Sequence, residues 1–141
     1  MRQVIFQSCE LYSCLGQIAK DLRDRSQQDK NDFNFVSLAD ILSKEDKEWA
    51  QSIEMGDYVG INKIGMPPPY AIIWAPHPSE RDWFANLTAE GYTGKKILIH
   101  TGMGRWSNQW GEKPGFRIHA DYSFSIPCKN LANKVYKALR K

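Results

Sequence analysis

Apolar positions along the 141-residue chain fall into short blocks of different period, and each block predicts an element. Val4-Ile5-Phe6 is a β-rich run bounded by Gln7 and Ser8 and reads as a strand. Leu11, Leu15, Ile18 and Leu22 follow at helical spacing, so one stripe of a helix faces the core, with Ser8 as the expected cap. Charged and amide residues dominate Asp21 to Asn34, which predicts a surface connector there. Between Val36 and Met55, Ser37 with Asp40 and Ser43 with Asp46 each pair a hydroxyl with a carboxylate three residues on. That pattern predicts two short helices, the first burying Leu38, Ile41 and Leu42 and the second Trp49 and Ile53.

Gly56-Asp57 marks a turn before a modest strand over Tyr58 to Ile61, and Gly65 to Pro69 must be extended because successive prolines exclude the α-region from their predecessors. Tyr70 to Ala75 is apolar without alternation, as in a strand covered on both faces. His77-Pro78-Ser79 opens a helix with Ser79 as cap and Asp82 three positions later; it carries Trp83, Phe84 and Leu87 inward and closes at Gly91. Lys95 to His100 is the next strand, and the order strand, helix, strand predicts a parallel pair. Phe116 to Ile126 alternates apolar and polar residues and reads as one strand with a buried and a polar face. Leu131, Val135 and Leu139 recur at helical spacing near the carboxyl terminus. The expected fold class is therefore α/β or α+β, a single mixed sheet of about four to six strands covered by three to five helices, with residues 1–141 as one domain.

Composition narrows the function classes. No apolar run approaches the roughly 18 residues of a membrane span, and the amino terminus lacks the apolar core of a secretory signal. Cys9, Cys14 and Cys128 cannot all pair within one chain, and the four residues between the first two match no common zinc spacing. Reduced thiols in a cytoplasmic protein, with no metal and no cofactor, are expected. The net charge of +3 conceals a division: residues 1 to 92 hold 9 basic and 14 acidic side chains, whereas residues 93 to 141 hold 10 basic and 2 acidic. Such asymmetry points to an anionic partner unless folding interleaves the two halves.

Two constellations could carry chemistry. Thr101 to Gly115, TGMGRWSNQWGEKPG, joins two strands through a long segment with four glycines and two tryptophans. Gly102 and Gly104 would let backbone amides approach an anion, Arg105 and Lys113 would pair with it, and Trp106 or Trp110 would stack on a base or sugar. The segment lacks the lysine and following helix of a phosphate-binding loop, and a hairpin connection with tryptophans folded over the sheet is the plainer alternative. The second constellation is His119 and Asp121, two apart on an expected strand and so on one face, with Arg117 beside them. His100, on a strand expected next door, would supply a second imidazole for acid–base cleavage of a phosphodiester, with Arg117 or Lys95 stabilising the added charge. An ordinary solvent-facing strand shows the same alternation.

A thiol in an early helix followed by histidines on strands resembles papain-like cysteine hydrolases in chain order alone. Cys14, however, shares the apolar stripe of Leu11, Leu15 and Ile18, and Cys9, nearer the helix start, would be the better nucleophile. The leading reading is a phosphate-bearing ligand, RNA, DNA or a nucleotide, held by the basic second half through the 101–115 segment, with histidine-based cleavage secondary. A protein-interaction module of inhibitor or immunity type, meeting a protein partner, is the competing class, and a cysteine hydrolase the third.

Overall fold

The most apolar stretches of the chain become strands of a single parallel sheet in the computed structural model, which describes residues 2–8, 14–30, 32–38, 60, 64, 67–75, 82–101, 119–126 and 130–141. The elements are β1 (Arg2–Ser8), α1 (Cys14–Gln28), β2 (Phe33–Ser37), β3 (Ala71–Ala75), α2 (Trp83–Ala89), β4 (Lys95–Thr101), β5 (Tyr122–Ile126) and α3 (Leu131–Arg140). The strand order is β2-β1-β3-β4-β5, and every pairing is parallel. Val4 lies opposite both Phe35 and Ala71, Ile73 opposite Ile97, and Ile99 opposite Phe124.

Strand alternation sorts the core into two layers. Val4, Phe6, Ala71, Ile73, Ala75, Ile97 and Ile99 face one side, where they meet Leu22 of α1 and Leu131, Val135 and Leu139 of α3. Ile5, Ile72, Trp74 and Leu98 face the other side, against Trp83, Phe84 and Leu87 of α2 together with Leu38 and Ile64. The central strands are thus covered on both faces, which is why β3 reads as an unbroken apolar run. The class is α/β, and the sheet is parallel among the described residues rather than mixed. Its neighbouring strands are joined by crossovers of a dozen or more residues, not by the tight turns that antiparallel neighbours permit. No described helix is long and apolar enough to cross a membrane.

Several local expectations are corrected. The connector expected over Asp21 to Asn34 is instead the second half of α1 followed by β2. Ser26, buried under the helix, donates from Oγ to the Phe33 carbonyl at 2.7 Å and accepts from the Phe33 amide at 2.9 Å. This reciprocal bracket fixes the amino end of β2. Ser8 is the last residue of β1. The cap of α2 is Asp82, whose carboxylate accepts from the Ala85 amide at 3.1 Å, not Ser79. Of the described part of the expected Phe116–Ile126 strand, Tyr122 to Ile126 forms β5, while His119 sits in a turn and Asp121 turns its carboxylate onto the backbone of β4. Of the Tyr58–Ile61 strand only Gly60 is described, outside any strand, and the helices expected beyond Leu38 lie outside the described residues.

The end of α2 follows a Schellman pattern. Gly91 adopts φ 92°, its amide reaches the Thr88 carbonyl, and the Tyr92 amide reaches Leu87, each at 3.0 Å. A Cβ at Gly91 would meet nothing within 4 Å, so the penalty for a side chain there is backbone strain alone. Gly91→Ala is expected to lower stability by about 1 kcal/mol, read as a reduced urea midpoint with an unchanged slope. An unaltered midpoint would contradict the positive φ.

Candidate functional site

All strands of a parallel sheet end at one edge, and the connections that leave it are where such folds build sites. In this chain β1 connects outward to β2 on one side, whereas β3 connects to β4 on the other, so the winding reverses between β1 and β3. In open parallel sheets, ligands bind outside the carboxyl ends of the strands that flank such a reversal. Ser8 pairs with Ala75 at this edge, while His100 and Thr101 pair with Ser125 and Ile126. Gly102, Gly104, Arg105, Trp106, Trp110 and Lys113 lie outside the described residues. The strand they follow, β4, ends at Thr101 on this edge, one strand removed from the point of reversal.

A polar residue not singled out in the sequence also belongs to this neighbourhood. Gln7 is buried opposite Trp74, one residue before the end of β1. Burying an amide is unfavourable unless it is hydrogen-bonded, so a glutamine closing the apolar run Val4-Ile5-Phe6 is the sequence signal that would have found it.

The histidine scheme needs His100 and His119 on neighbouring strands. β4 and β5 are neighbours, as that scheme required, but the register sets Lys96, not His100, against Asp121. The Asp121 amide donates to the Lys96 carbonyl at 2.8 Å, and the Lys96 amide donates back to Asp121 Oδ2 at 2.8 Å. Four residue steps along β4, roughly 13 Å of strand, separate that bracket from His100. His119 precedes Asp121 in a turn, on the α2 side, within electrostatic reach of Asp82. Burial pushes the Asp82 carboxyl above its ordinary value, while the Ala85 amide and His119 draw it back. Arg117 lies outside the described residues.

Asp121 therefore holds an edge strand in register. Asp121→Ala leaves the Lys96 amide without its acceptor and should lower stability by about 1 to 3 kcal/mol. Asp121→Asn, which retains an acceptor oxygen, should lose less. Equal losses in thermal or urea melts of the two variants would refute this role.

Folding also interleaves the two charged halves. Arg140 of α3 reaches Asp29 at 3.2 Å and Asp32 at 3.9 Å, both from the acidic half. Lys95 donates to the last carbonyls of α3, Ala138 at 3.0 Å and Leu139 at 2.9 Å, and Tyr70 donates to Leu139 at 2.7 Å. Lys96 is buried over the Tyr92 ring. These contacts sit at the amino edge, opposite the carboxyl ends of the strands. An open groove of about 570 Å³ lined by Pro68, Pro69, Tyr70, Tyr92 and Lys95 is at that edge too. Among the described residues no three His, Cys, Asp or Glu side chains converge as metal ligands do. Cys9 and Cys128 lie outside the described residues, and Cys14 belongs to α1. The chain matches no protein-family model and no curated protein.

Proposed function

We propose that the chain binds a phosphate-bearing ligand, a nucleotide or a short stretch of nucleic acid, beyond the carboxyl edge of its sheet. The segment after β4 supplies the recognition groups: Gly102 and Gly104 for close backbone approach, Arg105 and Lys113 for the phosphate, Trp106 and Trp110 for a base or sugar. One observation carries the reading. The parallel sheet reverses its winding between β1 and β3, and the glycine-, arginine- and tryptophan-bearing segment departs from the same edge. His100 lies on that edge, whereas Asp121 is bound to Lys96. Cleavage by His100 and His119 acting together is accordingly no part of the proposal.

Equilibrium dialysis against labelled nucleoside triphosphates and a short single-stranded RNA, repeated over a range of salt, tests it. Binding should weaken as salt rises, by about 0.7 in log K per log unit of salt for each phosphate neutralised on a single strand. Absence of binding, or affinity indifferent to salt, would remove the reading in favour of a protein partner.

A further inference from the structure

Seven of the eleven described cations gather at the other end of the sheet, on the side of α1 and α3. Arg2 opens β1, with its guanidinium 4.5 Å from the centres of both the Phe33 and Tyr70 rings. Arg25 and Arg140 lie 5.5 and 5.9 Å from the Tyr136 ring, Lys95 lies 5.2 Å from Tyr70, and Lys141 lies 5.8 Å from Tyr122. Lys30 stands exposed just before β2, and Lys137 stands exposed on the last turn of α3. Among the described residues, Asp29 and Asp32 are the carboxylates ion-paired with this group, through Arg25 and Arg140. Glu90 and Asp121 belong to the α2 side, at the end of α2 and the start of β5.

Structural demand explains only part of this clustering. α1 and α3 both end here, and each carboxyl-terminal dipole calls for roughly half a positive charge. Adding Asp29 and Asp32, among the described residues about three of the seven cations are balanced and about four are in excess. We infer that this amino edge, on the α1 and α3 side, is a docking surface for the phosphate backbone of a nucleic-acid duplex.

Three features select that partner. From Lys30 beside β2 to Lys141 over the start of β5 the edge crosses four strand spacings, about 19 Å. That length matches five or six successive phosphates of one duplex strand at about 3.4 Å each. The rings beneath are already covered by cations, which disfavours single strands that bind by stacking on open aromatics. The apolar residues of α3, Leu131, Val135 and Leu139, are spent on the core, leaving none to insert into a lipid surface or anchor a protein interface. Backbone contacts of this kind are independent of base sequence. The inference stands apart from the carboxyl-edge reading, since it uses different residues.

The test is fluorescence anisotropy with a labelled DNA duplex of about 20 base pairs in roughly 50 to 200 mM salt. It compares the full chain with the triple variant Lys30→Asn, Lys137→Gln, Lys141→Gln. Asparagine suits the φ of 64° at position 30, and an unchanged melting temperature shows that the triple variant is folded. The triple variant should bind about tenfold or more weakly at the lower salt, with a salt slope smaller by about 0.9 for each lysine that meets a phosphate. A second variant, Lys20→Gln on the exposed face of α1, should retain the duplex affinity. The inference is overturned if the triple variant keeps the affinity and slope of the unaltered chain, if only the second variant loses duplex binding, or if poly-glutamate or phosphatidylserine vesicles bind this edge as tightly as the duplex does.

Discussion

Replacing Trp74 with alanine lowers the free energy of unfolding by about 3 to 5 kcal/mol, the range found when a buried large aromatic is truncated. Trp74 is 2% exposed on β3 and packs edge-on against Trp83 and Phe84, with ring centres 5.9 and 5.1 Å apart. It ties the central strand to α2, so alanine would open a cavity in the layer beneath the point where the winding reverses. Domains of this size unfold at about 5 to 15 kcal/mol, which makes the expected loss a large fraction of the total. Urea melts followed by far-UV circular dichroism give the value. Trp74→Phe should retain much of the stability. A loss below about 1 kcal/mol for the alanine variant would contradict the packing of that layer.

Combined replacement of Arg105 and Trp106 with alanine is expected to weaken nucleotide binding by on the order of a hundredfold without changing the melting temperature. The magnitude follows from the contacts removed. A charge-assisted hydrogen bond to phosphate contributes about 1.5 to 3 kcal/mol and a stacked base about 1 to 3 kcal/mol, while tenfold in affinity is about 1.4 kcal/mol. The readout is the ratio of dissociation constants at fixed salt. Equal affinity in the double variant would remove the 101–115 segment from the site.

Fold class was legible where local pattern and final burial coincide. Tyr70 to Ala75 lacks alternation because β3 is buried on both faces, and Leu131, Val135 and Leu139 mark the inner face of α3 directly. Trp83, Phe84 and Leu87 likewise occupy the inner side of α2. β2 and the second half of α1 were not legible. From Asp21 to Gln28 the helix buries only Leu22 and Ser26, so the apolar stripe by which a helix is recognised fades while the helix continues. β2 rests on Phe33, Phe35 and Ser26, and its partner strand is some thirty residues away, a pairing no local window can register. Asp121 misled in the opposite direction. A short acidic side chain in an alternating run can equally bind backbone, and here it takes the Lys96 amide and begins the strand instead of lying within it. The candidate site was legible as a list of residue types in one segment. Its place at the carboxyl edge was not, because strand order is a property of long-range pairing.

Backbone amide shifts recorded while a nucleoside triphosphate is titrated into isotope-labelled protein locate the ligand most directly. Saturating shifts should cluster at Ser8, Ala75, His100 and Thr101, the ends of β1, β3 and β4, and leave Phe33, Lys95 and Tyr122 at the far edge unmoved. Shifts confined to the amino edge, or none at any ligand concentration, would contradict a phosphate site built on the winding reversal.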